Sequence, residues 1–221
     1  MADTNTREWG LKTFSFNPVQ ENTYIFWDVA SKEAAIIDAG MWTEAENSKV
    51  ENFLKAEGLQ LKHALQTHMH FDHIFGLKFI HDRYGIGPMC HTEEMGTYQA
   101  QPSMAMQFGL DLPSPQPRIA RALNDGSTIQ LGQLKLKVIH TPGHTPGGCC
   151  YYCERAALLF SGDTLFQGSV GRTDFPGGSM AVELSSIKDK LLILPDETVA
   201  YPGHGSSTTI GWEKQNNYYL F

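Results

Sequence analysis

Basic residues and long apolar runs are scarce in this sequence, and a secretory signal is not evident. The 221 residues include 17 Lys and Arg against 24 Asp and Glu, a formal net charge of -7, with no basic run. Because binding to a phosphate backbone needs clustered cations, we expect no nucleic-acid partner. No apolar stretch approaches the roughly 20 residues that span a bilayer, and Met1–Gly10 has no apolar signal core. We therefore expect a cytoplasmic protein with no membrane partner.

Cysteine is also scarce, with four in the chain. Three of them, Cys149, Cys150 and Cys153, lie in a β-prone stretch. On a strand the first and third of these face one way and the second faces the other, so the three do not converge on one ion. Cys90 is distant in sequence. We expect all four to be reduced, buried and packed as small apolar side chains.

Metal-binding side chains, in contrast, are concentrated in one short segment. Residues 67–73, with the sequence THMHFDH, place three histidines and one aspartate within six positions. Neutral imidazole is the commonest protein metal ligand, and a divalent cation converts such crowding into coordination. Three further polar residues, His144, Asp163 and His204, each end a strand-like apolar run and sit beside a glycine. These seven residues predict a metal centre.

This set of motifs and its order resemble the metallo-β-lactamase superfamily, over nearly the whole chain. The resemblance implies an α/β (α+β) fold, an αββα sandwich of two mixed sheets packed face to face with helices outside. It implies two divalent ions, zinc in the first instance, with iron or manganese as alternatives. The first ion would bind His68, His70 and His144, the second would bind Asp72, His73 and His204, and Asp163 would bridge both. Asp38 would orient a ligand histidine, with a turn-forming role as the alternative.

The pattern of strands and helices supports one domain over residues 1–221, built from two αβ halves at about 1–120 and 121–221. A capping box at Thr43 and Glu46 begins a helix that ends by Gly58. Further helices are predicted from near His73 to Gly85 and over Met180–Lys190. Strands are predicted at Lys12–Phe16, Thr23–Asp28, Ala34–Asp38, Leu61–Gln66, Ser127–Gln130, Leu134–His140, Cys149–Cys153, Ala156–Ser161 and Thr198–Tyr201.

One segment, Gly96–Arg118, breaks this pattern. It is rich in Pro, Gln and Met and shows no clear period, so it is either a surface connection or a flap over the active site. As a flap, it would offer Met104, Met106 and Phe108 as adaptable apolar contacts. The remaining histidines match no ligand position, and surface or structural roles are expected for His63, His81, His91 and His140.

The run GDTLFQGSVGRTDFPGG at 162–178 indicates which subfamilies of the superfamily the chain resembles. It is similar to a segment shared by glyoxalase II enzymes, their short single-domain bacterial relatives and persulfide dioxygenases. Within it, Arg172 and Asp174 are expected to form a buried ion pair that fixes the loop, with a direct role in catalysis as the alternative. Glyoxalase II carries a C-terminal helical domain with basic residues for glutathione, whereas Lys214 is the only cation after His204 here. The resemblance is therefore to the short glyoxalase II-like type, which lacks that domain.

The resemblance implies a metal-dependent hydrolase of thioesters, such as S-lactoylglutathione or a related hydroxyacyl-thiol. A hydroxide bridging the ions would attack the carbonyl, with Asp72 and Asp163 positioning it. The leaving thiol has a pKa of about 8.5 and departs as thiolate without a dedicated acid. One alternative is a persulfide dioxygenase with a single Fe(II) on His68, His144 and Asp163. Another is a non-catalytic binding protein that retains the fold, and lactonase and phosphodiesterase chemistry stay open. The acyl group, thiol carrier, native metal and oligomeric state are not determined by the sequence.

Overall fold

Two six-stranded sheets pack face to face in the computed structural model, which describes residues 7–221. The first six residues, part of the segment in which no secretory signal is expected, lie outside the described residues. Among residues 7–221 no helix combines the length and hydrophobicity needed to cross a membrane. The division between the two sheets falls between Leu123 and Thr128.

The first sheet has the strand order β1-β2-β3-β4-β5-β6. Its first three strands pair antiparallel and the pairs from β3 to β6 are parallel, so the sheet is mixed. Its strands are β1 (Trp9–Phe16), β2 (Glu21–Asp28), β3 (Glu33–Ile37), β4 (Gln60–Leu65), β5 (Pro88–His91) and β6 (Arg121–Leu123).

The second sheet has the order β14-β13-β10-β9-β8-β7, and only the β10–β13 pair is parallel. Its strands are β7 (Thr128–Leu131), β8 (Leu134–His140), β9 (Cys149–Cys153), β10 (Leu158–Gly162), β13 (Val199–Pro202) and β14 (Thr208–Thr209). A separate two-stranded hairpin joins β11 (Leu165–Phe166) to β12 (Ser169–Val170).

Helices cover the outer faces of both sheets. The capping box on Thr43 is present, and Gly58 ends the same helix in the left-handed conformation with φ 65°, as predicted. The helix expected from near His73 is two helices, separated where the Gly76 N–H bonds to the Ala39 carbonyl. The helices are α1 (Glu44–Glu57), α2 (Phe71–Ile74), α3 (Leu77–Tyr84), α4 (Met95–Gln107), α5 (Met180–Ser186), which a π-helical turn at Ile187–Leu191 extends, and α6 (Ile210–Asn216).

Three apolar layers alternate with the sheets. The central layer lies between the sheets and includes Phe26, Leu65, Val138, Tyr151 and Phe160. A second layer packs the first sheet against α1 and α3. A third packs the second sheet against α5, its π-helical extension and α6. This confirms the predicted αββα sandwich. The cysteines follow the strand alternation, and all four are buried and free, as predicted.

The Gly96–Arg118 segment differs from the expectation of a structureless connection. Most of its first half belongs to α4, a 13-residue helix with Pro102 inside it. Its fully buried positions are Gln101 and Ala105, so no aliphatic stripe marks the helix in the sequence. Because tertiary contacts rather than intrinsic propensity stabilise such a helix, the periodicity of the sequence does not reveal it.

Candidate metal centre

The seven predicted ligand residues meet at one edge of the two sheets, each in a loop or short turn that follows a strand. The first sheet delivers residues 67–73 directly after β4, with Asp72 and His73 on the single turn of α2. The second sheet delivers His144 after β8, Asp163 after β10 and His204 after β13. Because β10 and β13 are parallel neighbours, their carboxyl ends place Asp163 and His204 side by side.

Three buried imidazoles, those of His68, His70 and His144, form the first cluster. The His144 Nε2 lies 2.9 Å from Nδ1 of His70 and 3.3 Å from Nε2 of His68. Burial, followed by the neighbouring His144, lowers the pKa of His70 to about 3. Burial and the adjacent histidines also hold the pKa of His68 well below its ordinary value. These two rings are therefore neutral at physiological pH, the form that ligates a cation.

The second cluster combines one carboxylate with two imidazoles. Oδ2 of Asp72 lies 3.2 Å from Nε2 of His204 and 3.6 Å from Nε2 of His73. His73 is fully buried, and His204 is the more open of the two, at 27% side-chain exposure. The three ligand atoms lie within 4.8 Å of one another, as do those of the first cluster.

Asp163 lies between the clusters and contacts both. Its Oδ1 is 3.4 Å from Nε2 of His73, while its Oδ2 is 3.6 Å from Nε2 of His144 and 3.8 Å from Nε2 of His204. Burial alone would raise the pKa of Asp163, but His73 and the other facing imidazoles hold that pKa well below its usual range. The carboxylate is therefore ionised where the two clusters meet.

Two atoms at this meeting point are buried and have no hydrogen-bond partner: Oδ1 of Asp163 and Nε2 of His73. Burying a polar atom costs free energy unless the atom is hydrogen-bonded or coordinates a metal. Imidazole and carboxylate are donors that suit zinc, iron and manganese. The residues present therefore fit a pair of divalent cations.

Three of the rings have an oxygen close to Nδ1, the nitrogen that faces away from the centre. Nδ1 of His73 lies 3.1 Å from Asp38, the orienting contact expected of that residue. Nδ1 of His144 lies 2.6 Å from the Arg172 carbonyl, and Nδ1 of His204 lies 3.1 Å from the Val19 carbonyl. The two backbone contacts leave no mark in the sequence.

Three buried glutamates around the centre also escaped the sequence analysis. Glu94 accepts the backbone N–H groups of Met69 and Gly147, at 2.8 and 2.9 Å. Glu183 accepts the His144 N–H at 2.7 Å, and burial raises its pKa to about 8. Glu21 is fully buried beside His73. None of the three lies in a segment with metal-ligand spacing, so only the fold shows its place.

The other predicted polar residues lie outside the centre. Arg172 and Asp174 do form an ion pair, but the two side chains are 58% and 65% exposed, so the expectation of a buried pair is wrong. The Arg172 guanidinium instead lies over the ring of Phe175, 4.3 Å from its centroid. His63 and His81 do not join the clusters, and His91 stacks on His140 with 3.8 Å between ring centroids.

A cavity of about 320 Å³ opens above the two clusters. Its apolar wall includes Phe71 and Phe175, together with three residues of the Gly96–Arg118 segment, Met104, Phe108 and Leu110. Met106 is 72% exposed and does not line the cavity, so its predicted contact is wrong. A larger cavity, of about 690 Å³, lies on the outer face of the second sheet and contains none of the seven residues.

Residues 16–204 match the sequence family described as the metallo-beta-lactamase superfamily. This protein belongs to that superfamily. Its members bind divalent metals, in keeping with the histidine and aspartate clusters.

Similar proteins span nearly the whole chain. Hydroxyacylglutathione hydrolase GloC of Haemophilus influenzae is 36% identical over 208 residues, 91% of this chain and 93% of that protein. The crystal structure of BLEG-1 B3 metallo-beta-lactamase superimposes with a TM-score of 0.86 at 36% identity, over 96% of this chain and 99% of that one. The structure of TTHA1623 in a di-iron-bound form gives a TM-score of 0.84 at 34% identity, over 95% of this chain and all of that one. These similarities agree with membership of the superfamily over nearly the whole chain.

Proposed function

We propose that this protein is a metal-dependent thioester hydrolase of the glyoxalase II type, acting on S-lactoylglutathione or a related hydroxyacyl-thiol. The observation that carries the proposal is that Asp163 contacts both three-residue clusters, which suits a pair of ions beneath a substrate-sized cavity. The similarity of this protein to a hydroxyacylglutathione hydrolase supports the same substrate class. The proposed ligands are His68, His70 and His144 for one ion, Asp72, His73 and His204 for the other, and Asp163 for both.

The chemistry divides between the ions and the side chains. When bound, two divalent cations supply hydroxide at neutral pH, since they lower the pKa of coordinated water to about 7. Asp72 and Asp163 face the space between the clusters and orient the attacking group. The carbonyls of Arg172 and Val19 face Nδ1 of His144 and Nδ1 of His204, and the Asp38 carboxylate lies beside Nδ1 of His73; these contacts keep the ligand rings aimed at the centre.

The lining of the cavity suits a thioester. Among the described residues that line it, Arg172 is the only charged side chain outside the seven proposed ligands. No separate acid for the leaving group is needed, because a thiol with a pKa of about 8.5 leaves as thiolate. The apolar wall and the single exposed cation hold the acyl-thiol portion without a dense charged site for glutathione. We therefore propose a broad range of thiol carriers and a high KM for glutathione thioesters.

Two other reactions compete with this proposal. The similarity to a B3 metallo-beta-lactamase over nearly the whole chain makes a β-lactam a candidate substrate. A mononuclear iron enzyme that oxidises persulfides would use His68, His144 and Asp163. Nε2 of His144 lies 3.3 Å from Nε2 of His68 and 3.6 Å from Oδ2 of Asp163. In all three cases we propose a small-molecule substrate, a single domain, a cytoplasmic location and no nucleic-acid partner.

One set of assays on a single preparation separates these reactions. Metals are quantified, and the protein is then offered S-lactoylglutathione, simpler acyl-thioesters, a lactone, a cephalosporin and, in an oxygen electrode, glutathione persulfide. Thiol release from thioesters at rates well above β-lactam opening or oxygen uptake would support the proposal. Oxygen uptake without thioester hydrolysis would identify the iron enzyme, and failure to turn over any substrate with metals bound would favour a binding protein.

A further inference from the structure

In the loop that carries His68 and His70, every second backbone N–H group donates a hydrogen bond to a side chain outside the loop. Three backbone N–H groups on this loop each donate to a buried side-chain oxygen, at 2.7–2.8 Å. The pairs are Thr67 with Asp38, Met69 with Glu94, and Phe71 with Gln101. The two histidines between these attachment points turn their rings toward the centre. The loop is thus fixed on one side and ligating on the other.

Glu94 differs from the other two acceptors because it holds a second loop as well. Its Oε2 accepts the N–H of Met69, which stands between His68 and His70. Its Oε1 accepts the N–H of Gly147, three residues after His144. Both oxygens are occupied and the residue is fully buried. A Cβ at position 147 would overlap Glu94, which shows how closely the second loop packs against this residue.

We infer that Glu94 is a positioning residue that sets the distance between the His68–His70 loop and the His144 loop, and so the geometry of the first metal site. The inference rests on the ligand set of the proposed function. A carboxylate can make two charge-assisted hydrogen bonds at once, each roughly twice as strong as a neutral one. The neutral side chain closest in shape, glutamine, has one acceptor oxygen and would turn an NH2 group toward one of the two backbone donors.

The chain offers a matched control at the preceding position, Glu93. Glu93 is exposed, whereas Glu94 is fully buried, so the same substitution at each changes the charge equally. The wild type, Glu94→Gln and Glu93→Gln are stripped of metal. Each is then titrated with Co²⁺, followed by visible absorption, and with Zn²⁺ in competition with a chromophoric chelator. Thermal unfolding of the metal-free proteins reports on the fold separately.

We expect Glu94→Gln to weaken Zn²⁺ binding about 10- to 100-fold and to alter the Co²⁺ spectrum, as loss of an outer hydrogen-bond partner typically does. Glu93→Gln should match the wild type in both. A folded Glu94→Gln protein with wild-type affinity and spectrum would overturn the inference. If Glu94→Gln does not fold, Glu94→Asp decides: it keeps the charge but is too short to reach both loops, and unaltered metal binding would again overturn it.

These readouts separate the inference from the proposed function. Metal affinity and the Co²⁺ spectrum require no turnover, so a wild type that binds ions but hydrolyses no thioester contradicts only the proposed reaction. A wild type that binds no ions contradicts the metal centre and the role of Glu94 together. Weakened binding in Glu94→Gln alone supports the inference whatever the substrate is.

Discussion

The residues around the centre fall into two groups. Those of the first group face the proposed ions, and those of the second hold the first group in place. Asp163 belongs to the first group, with one oxygen toward His73 and the other toward His144 and His204. Asp38 belongs to the second, since it accepts from the Thr67 backbone and hydroxyl and faces Nδ1 of His73. Side-chain chemistry at this scale makes direct predictions.

Replacing Asp163 by alanine should lower kcat/KM for thioester hydrolysis by about 100-fold or more, beyond the 10- to 100-fold typical of outer partners. Its loss would leave two cations facing each other with one fewer negative charge between them. Lys214→Ala is the comparison, because Lys214 pairs with Asp196 on the surface and such pairs contribute about 0–1 kcal/mol. Steady-state kinetics checks both variants. Comparable losses from the two would show that the chemistry is placed in the wrong part of the molecule.

A second residue-scale prediction concerns His91. Burial, followed by the stacked His140, lowers its pKa to about 4. Because histidine in an unfolded chain has a pKa of about 6.5, the unfolded state binds more protons between about pH 6.5 and about pH 4. His91 should therefore make the free energy of unfolding fall as pH decreases through that window, and have no such effect above it.

His91→Asn removes this titration and can still accept the Glu93 N–H that His91 accepts now. Urea denaturation of the metal-free proteins at about pH 7.5 and about pH 4.5 should show a smaller loss of stability for the variant than for the wild type. His81→Asn, on the surface, serves as control and should follow the wild type. Parallel losses in wild type and His91→Asn would mean that His91 is not held neutral by its surroundings.

Elements differ in how clearly the sequence shows them. Strands β8 and β9 have the predicted bounds, because the side chains of β8 alternate between buried leucines and exposed lysines over most of its length and those of β9 alternate between two apolar layers. Helix α1 carries the predicted capping box and its terminal glycine. Helix α4 was missed because its buried face is Gln101 and Ala105, and because Pro102 suggests a break. Local patterns thus identify elements that bury an aliphatic face, and not those held by polar contacts to a distant loop.

The position of α4 changes how the predicted flap can be tested. Deleting part of the segment would remove Gln101, which supports the Phe71 backbone, so single substitutions are preferable. Met104→Ala or Phe108→Ala should raise KM for thioesters about fivefold and leave metal content unchanged, since partial loss of an apolar contact is worth about 1 kcal/mol. Met106→Ala, which removes an exposed side chain outside the cavity, is the matched control. Unchanged KM in all three variants would exclude this wall from substrate binding.

For the whole molecule, the two sheets act as two halves of one site. The first sheet supplies His68, His70, Asp72 and His73, and the second supplies His144, Asp163 and His204. The seven residues could be predicted because their chemistry and spacing resemble a known superfamily. The glutamates at 21, 94 and 183 could not, because each depends on a contact between segments 25 or more residues apart in the chain.

We propose centrally that two ions, held by loops at one edge of the two sheets, enable thioester hydrolysis. The most direct test is to add Zn²⁺ stepwise to the metal-free protein while measuring S-lactoylglutathione hydrolysis and the number of ions bound per chain. We expect no hydrolysis without metal, and a rate that rises to its plateau only when two ions are bound. Full hydrolysis with one ion per chain, or hydrolysis that does not depend on metal, would contradict it.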